Sequence, residues 1–161
     1  MVDDKGRGLS YDLLLLDWLD AAGLAVALAR VVGVPAGDVD VVVGDSGRES
    51  RAWGAAVLCD CEVLGAGDIA LSVSVYVRGS VPNPLPEPQA AAALAAAART
   101  VVFHSTGVGL NPAAYWAVTP DGLQTRASVE ASGDEPLSFT VATAEAALPR
   151  LPNLRVVTSA W

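Results

Sequence analysis

Lysine is almost missing from this 161-residue chain: Lys5 stands beside nine arginines, and ten cations face eighteen carboxylates, for a formal net charge of −8. Nowhere do Lys and Arg cluster. Such a surface repels phosphate backbones and anionic lipid, which excludes direct nucleic-acid binding, and it attracts basic partners. Histidine occurs once, as His104, and cysteine twice, as Cys59 and Cys61. A structural zinc site takes four ligands, so neither a metal nor a metal cofactor is expected. Two cysteines at i and i+2 of a strand point to the same side about 6.5–7 Å apart, a poor disulfide geometry. They are expected to be reduced, buried and slow to react.

Long uninterrupted apolar runs are also lacking. The nearest candidate, Leu13 to Val34, carries Asp17, Asp20 and Arg30 and begins beside Asp12, each expensive in hydrocarbon, so no membrane span is expected. The opening MVDDKGRGLS is polar and acidic, unlike the basic lead of a secretion signal. A cytoplasmic protein with a flexible 1–9 segment is the expectation.

What is present suits a folded chain, with 52% hydrophobic and 17% charged residues. The length fits a single domain, 1–161. Ser10 is a suitable N-cap for a first helix, with Arg30 in its last turn and Gly33 as its stop. Leu13, Leu16, Leu24, Leu28 and Val31 would share one face of it. After the break Pro35-Ala36-Gly37, Val39 to Val43 reads as a short buried strand, followed by a charged loop over residues 44–52. Residues 54–63 and 69–77 both alternate around Leu64-Gly65-Ala66-Gly67-Asp68 and form a hairpin. Pairing Val63 with Ile69 places Val57, Cys59 and Cys61 on the core face and Asp60, Glu62, Ser72, Ser74 and Tyr76 on the other.

A proline-rich connector spans residues 80–88, and the Ala-rich stretch 88–99 has high helix propensity. Thr100 to Phe103 then reads as a strand. Ala113–Val118 and Leu123–Glu130 flank the turn Thr119-Pro120-Asp121-Gly122, a second hairpin, and Leu137–Ala142 adds a further strand. The class is α+β, a mainly antiparallel sheet packed against two helices in the order α-βββ-α-β(βββ), with a hint of an α-βββ unit used twice.

Gly44-Asp45-Ser46-Gly47 resembles the nucleophile box of trypsin-like proteases, and Gly44-Asp45-Ser46 after a strand resembles that of SGNH hydrolases. A serine nucleophile needs a base and a group that orients it. His104 follows the serine where the trypsin-like order places histidine before it. The SGNH pattern then requires an Asn block followed by Asp-x-x-His, whereas Asn111 follows His104 and Val101 stands where the aspartate belongs. Ser46 is therefore read as part of a polar turn and no catalytic residue is assigned. Gly107-x-Gly109-x-x-Pro112 lacks both the third glycine and the helix of a dinucleotide loop, and His104 reads as structural.

A second resemblance covers residues 10–142 in layout. Leu110-Asn111-Pro112 before an aromatic strand, and Val118-Thr119-Pro120-Asp121-Gly122, are similar to the corresponding stretches of small acidic immunity proteins of bacterial polymorphic toxin systems. The resemblance implies a non-enzymatic protein that neutralises a toxin by binding it, and it carries over no individual residue. Candidate partner-binding residues are Asp45 and Glu49 on the 44–52 loop, Asp60, Glu62 and Tyr76 on the polar hairpin face, and Tyr115 and Trp116 on the later strand. The alternative is a small-ligand-binding or regulatory module; a Ser46 hydrolase ranks third.

Overall fold

Leu9, Tyr11, Leu13 and Leu15 alternate with Ser10, Asp12 and Leu14, and in the computed structural model this stretch is a strand, β1 (Leu9–Leu15). The structure describes residues 7–45, 48–106, 109 and 111–161; Ser46, Gly47 and most of the Gly107–Leu110 loop lie outside it. The remaining elements are α1 (Ala21–Val32), β2 (Val39–Val43), β3 (Val57–Val63), β4 (Leu71–Val77), α2 (Glu87–Ala98), β5 (Val102–Ser105), β6 (Ala114–Val118), β7 (Gln124–Ala131), β8 (Phe139–Ala144) and β9 (Arg155–Val156). The α+β class and the two helices stand as expected.

The helix expected from Ser10 begins instead after Asp20, whose carboxylate accepts the Gly23 N–H at 2.6 Å. Residues 13–20, the first eight of that apolar stretch, belong to β1 and the link after it. Leu13 to Leu16 are buried in succession because both faces of the sheet are covered there, and a short run buried on both sides has no visible period. The stop at Gly33 is correct, with φ +80° and its N–H bonded to the Ala29 carbonyl. Leu9 belongs to β1, so the flexible segment expected over 1–9 does not extend that far.

Among the described residues, one sheet of nine strands runs in the order β2-β3-β4-β1-β5-β6-β7-β8-β9. Its pairs are antiparallel except β2·β3 and β8·β9. Strand β2 is thus parallel to β1 and reached through α1, across β4 and β3; β5 is parallel to β4 and reached through α2, across β1. The two crossovers start from oppositely directed strands and travel in opposite directions. A shared right hand therefore places both helices on one face.

They are there. Leu24, Ala27 and Leu28 of α1 and Ala90, Ala91, Leu94 and Ala95 of α2 pack with Tyr11, Leu13, Leu15, Cys59, Cys61, Val73 and Val75. A second core occupies the opposite face over β5–β8. There Leu14, Phe103, Ala117, Val129 and Val141 meet Leu64, Ile69 and Leu148. The segment beyond β8 is held over this face by Arg150, which pairs with Asp17, itself bonded to the Thr100 hydroxyl at 2.8 Å.

The first hairpin has the expected faces and a different register. Val63 pairs with Leu71, Cys61 with Val73, and Cys59 with Val75, two residues on from the expected pairing. A shift of two preserves every face. Its cause is the 64–70 loop, drawn towards β8: Asp68 N–H donates to the Phe139 carbonyl at 2.8 Å, the Asp68 carboxylate accepts from Val141 N–H, and Ile69 enters the second core.

Candidate functional site

With both helices on one face, the other face of β3, β4 and the Ser10–Asp12 part of β1 is left open, while Leu14 further along β1 is covered by the second core. Alternation decides what it displays. Asp60 and Asp12 flank Ser74 in register, and Leu58 and Ser10 flank Tyr76. Glu62 pairs with Ser72 one step further along. Asp12, Asp60, Glu62, Ser74 and Tyr76 are exposed.

The link between β2 and β3 folds over one side of this face and is fastened by charge. Arg51 Nη1 donates to Asp60 Oδ1 at 2.6 Å, Arg51 Nε lies 3.4 Å from Asp40 Oδ2, and Ala52 N–H donates to Asp40 at 3.3 Å. The Arg51 side chain is only 4% exposed, and among the described residues neither Nε nor Nη2 has a hydrogen-bond partner. Its guanidinium carbon lies 5.5 Å from the ring centroid of Trp53, which is 67% exposed. Across the face, the Tyr76 ring lies over Gly8 so closely that any Cβ there would meet ring atoms at 2.2 Å.

Between these walls runs a groove of about 400 Å³, lined by Ser10, Asp12, Arg51, Trp53, Leu58, Asp60, Ser74 and Tyr76. A second depression adjoins it and shares Asp60 and Ser74, adding Asp45, Glu62 and Ser72. Asp12 accepts the Ser74 hydroxyl at 2.9 Å through one carboxylate oxygen.

Of the residues singled out from sequence, Asp45, Asp60, Glu62 and Tyr76 thus come together on one surface. Glu49 is exposed on the same link, in the short turn Arg48–Ser50. Tyr115 and Trp116 part company, as neighbours in a strand must. Tyr115 packs half-buried against the second core; burial, and then the charge of Asp12, raises its hydroxyl pKa. Trp116 forms an edge-on pair with Trp161 at 5.7 Å, with the Arg126 guanidinium 4.5 Å from the Trp161 ring. Sequence reading missed Asp12, assigned to a helix, and Arg51 and Trp53, whose folding back over β2 and β3 leaves no periodic signal.

His104 and the cysteines lie elsewhere. Leu13 pairs with His104, which sets the imidazole on the helix-covered side, where burial lowers its pKa. Cys59 and Cys61 are buried free thiols whose pKa values burial raises. Among the described residues, no group of three or more His, Cys, Asp or Glu side chains could hold a metal ion, and no helix is long and apolar enough to cross a membrane. The Ser46 reading falls outside the described residues.

The class defined by this fold is α+β, with one sheet face buried under helices and part of the other open and acidic. Comparison with protein-family models, curated proteins and solved structures finds no match for the chain.

Proposed function

We propose that the protein is a non-enzymatic binding domain that holds a basic protein partner against the open face of β3, β4 and β1, in the manner of an immunity protein neutralising a toxin. The observation that carries this reading is the collection of Asp12, Asp45, Asp60 and Glu62 around two adjoining depressions on a single face. Arg51, which lines the larger depression, is already shared between Asp40 and Asp60. A protein surface bearing Lys and Arg complements such a potential, and the potential accelerates encounter. Buried free thiols suit a reducing compartment, so we place the encounter in the cytoplasm.

The test is affinity capture followed by mass spectrometry, with a charge-swapped variant as the control. Asp60→Lys would set a second cation beside the buried Arg51, so the swap belongs at Asp45 and Glu62, which leave that pair intact. Each change shifts the charge by two units, taking −8 to −4. A basic protein captured by the native chain and lost from the Asp45→Lys/Glu62→Lys variant supports the reading. Equal capture by both moves the interaction off this face. A second reading, a small-ligand-binding module, draws on the size of the groove; release of a bound small molecule on unfolding would favour it.

A further inference from the structure

The groove beside Arg51 holds two features that the overall acidity does not explain. One is an arginine almost wholly out of solvent with Nη2 unbonded. An unsatisfied buried donor is costly, and more so when it is charged, so a group kept in this condition invites an acceptor. The other is the pairing of exposed aromatic surface with carboxylates. Trp53 and Tyr76 are both exposed, and Asp12 and Asp60 sit one strand either side of Ser74. Strands lie about 4.8 Å apart, so a cation above Ser74 would stand roughly 5 Å from each flanking strand.

We infer that this groove seats one lysine or arginine side chain of the partner, its cationic head between Asp12 and Asp60 and its alkyl stem against Trp53 and Tyr76, while a neighbouring main-chain carbonyl of the partner accepts from Arg51 Nη2. The inference rests on the protein-binding reading above and assigns it a specific anchor. Each part of the groove has a use under it. Asp60 gives one oxygen to Arg51 and Asp12 one to Ser74, which leaves the second oxygen of each for the incoming cation. The aromatic walls contribute cation–π attraction and cover the stem. Trp53 lies 5.5 Å from the guanidinium carbon and is 67% exposed, so its ring is free to turn aside as the carbonyl approaches the buried Nη2. A free anion is disfavoured here, because Asp12, Asp40 and Asp60 outnumber Arg51.

The test uses the isolated protein and four probes: Nα-acetyl N-methylamides of lysine, arginine, norleucine and glutamate. Nitrogen–proton NMR follows the amides of residues 10–12, 58–60 and 74–76, the Trp53 indole and the Arg51 Nε–H. The lysine and arginine probes are expected to give saturable shifts confined to these signals. Norleucine, with the same stem and no charge, should bind about tenfold more weakly, and glutamate more weakly still. Asp12→Asn should weaken the lysine probe several-fold, and so should Trp53→Ala, whose side chain is too exposed for its loss to disturb folding. Equal shifts from norleucine and lysine, or no shift at these residues with any probe, would overturn the inference. If a partner is captured and its binding is lost on charge reversal at Asp45 and Glu62, yet the lysine probe leaves the groove untouched, the anchor falls and the partner reading survives. If the lysine probe binds but no basic partner is captured, the groove stands as a cation site and the partner reading falls.

Discussion

Arg51 makes a buried ion-pair network whose worth to the fold is small by ordinary reckoning. It gives one good bond to Asp60 and one looser contact to Asp40, and leaves two donor atoms unsatisfied. Removing one partner of a buried ion pair is costly when the charge left behind is also buried, but here the remaining carboxylates reach water, with Asp60 56% and Asp40 22% exposed. Arg51→Met should therefore change stability in urea by no more than about 1 kcal/mol, while weakening binding at the groove. A loss of several kcal/mol would make Arg51 a structural clamp first. The thiols behave oppositely. Cys59 and Cys61 pack under the helices, and a serine at Cys59 would bury an unpaired hydroxyl, costing about 1–3 kcal/mol. In the folded protein both should react with a thiol reagent only as fast as the chain opens.

His104 carries a pH signature. Its pKa is lowered first by burial, opposed by the Ser105 carbonyl and the charge of Glu87. With the folded value below the unfolded one, of about 6.5, the unfolded chain takes up the proton first as pH falls. The stabilisation is complete above about 6.5 and is lost as pH drops through the folded value. Urea midpoints should decline over that window, and His104→Gln should flatten the decline. A midpoint that climbs on acidification through it would mean that the imidazole is stabilised as a cation.

Elements differ in how plainly their sequences announce them. Strand β2 was legible to the residue, and the turn at Thr119-Pro120-Asp121-Gly122 announced β6 and β7: its threonine accepts the Leu123 N–H at 3.0 Å and Gly122 takes φ +93°. The polar face of the β3–β4 hairpin was legible because alternation assigns faces even when the register slips by two. Strand β1 was hidden because it lies inside the sheet, and its apolar run merges with that of α1. The half of the groove contributed by Arg51 and Trp53 depends on a fold-back of the β2–β3 link that sets Arg51 against Asp40 and Asp60, contacts between separate elements for which no local pattern exists. Two glycines separate the kinds of information involved. At Gly33 a side chain meets nothing within 4 Å, so Gly33→Ala should cost only the left-handed backbone strain, about 1–2 kcal/mol. At Gly67 an added Cβ would also fall 2.5 Å from the Phe139 carbonyl, so Gly67→Ala should cost distinctly more and loosen the link from the 64–70 loop to β8. Equal losses at the two sites in thermal unfolding would remove the claim that this close approach sets the hairpin register.

At the scale of the whole molecule, the topology divides the work between faces. Both helices cross on one side and bury the apolar alternation of β1, β3 and β4, so the polar alternation of the same strands is free to meet something else. Net charge then becomes a property of a surface as well as a number. A charge of −8 spread evenly would act mainly on solubility, whereas carboxylates gathered on one open face direct encounter from outside. The two cases separate by kinetics. Steering acts over roughly a Debye length, about 8–10 Å near physiological ionic strength, so the association rate with a captured partner should fall steeply between low and moderate salt, while dissociation changes little. Asp45→Lys with Glu62→Lys should lower the rate at low salt and leave a shallower salt dependence, because less charge remains to be screened. The same pair of changes placed at Asp134 and Glu135, exposed in the β7–β8 link, carries an identical net charge and should leave most of the steering in place. If both double variants slow association equally, overall charge is the agent and the open face of β3, β4 and β1 has no special part in the encounter.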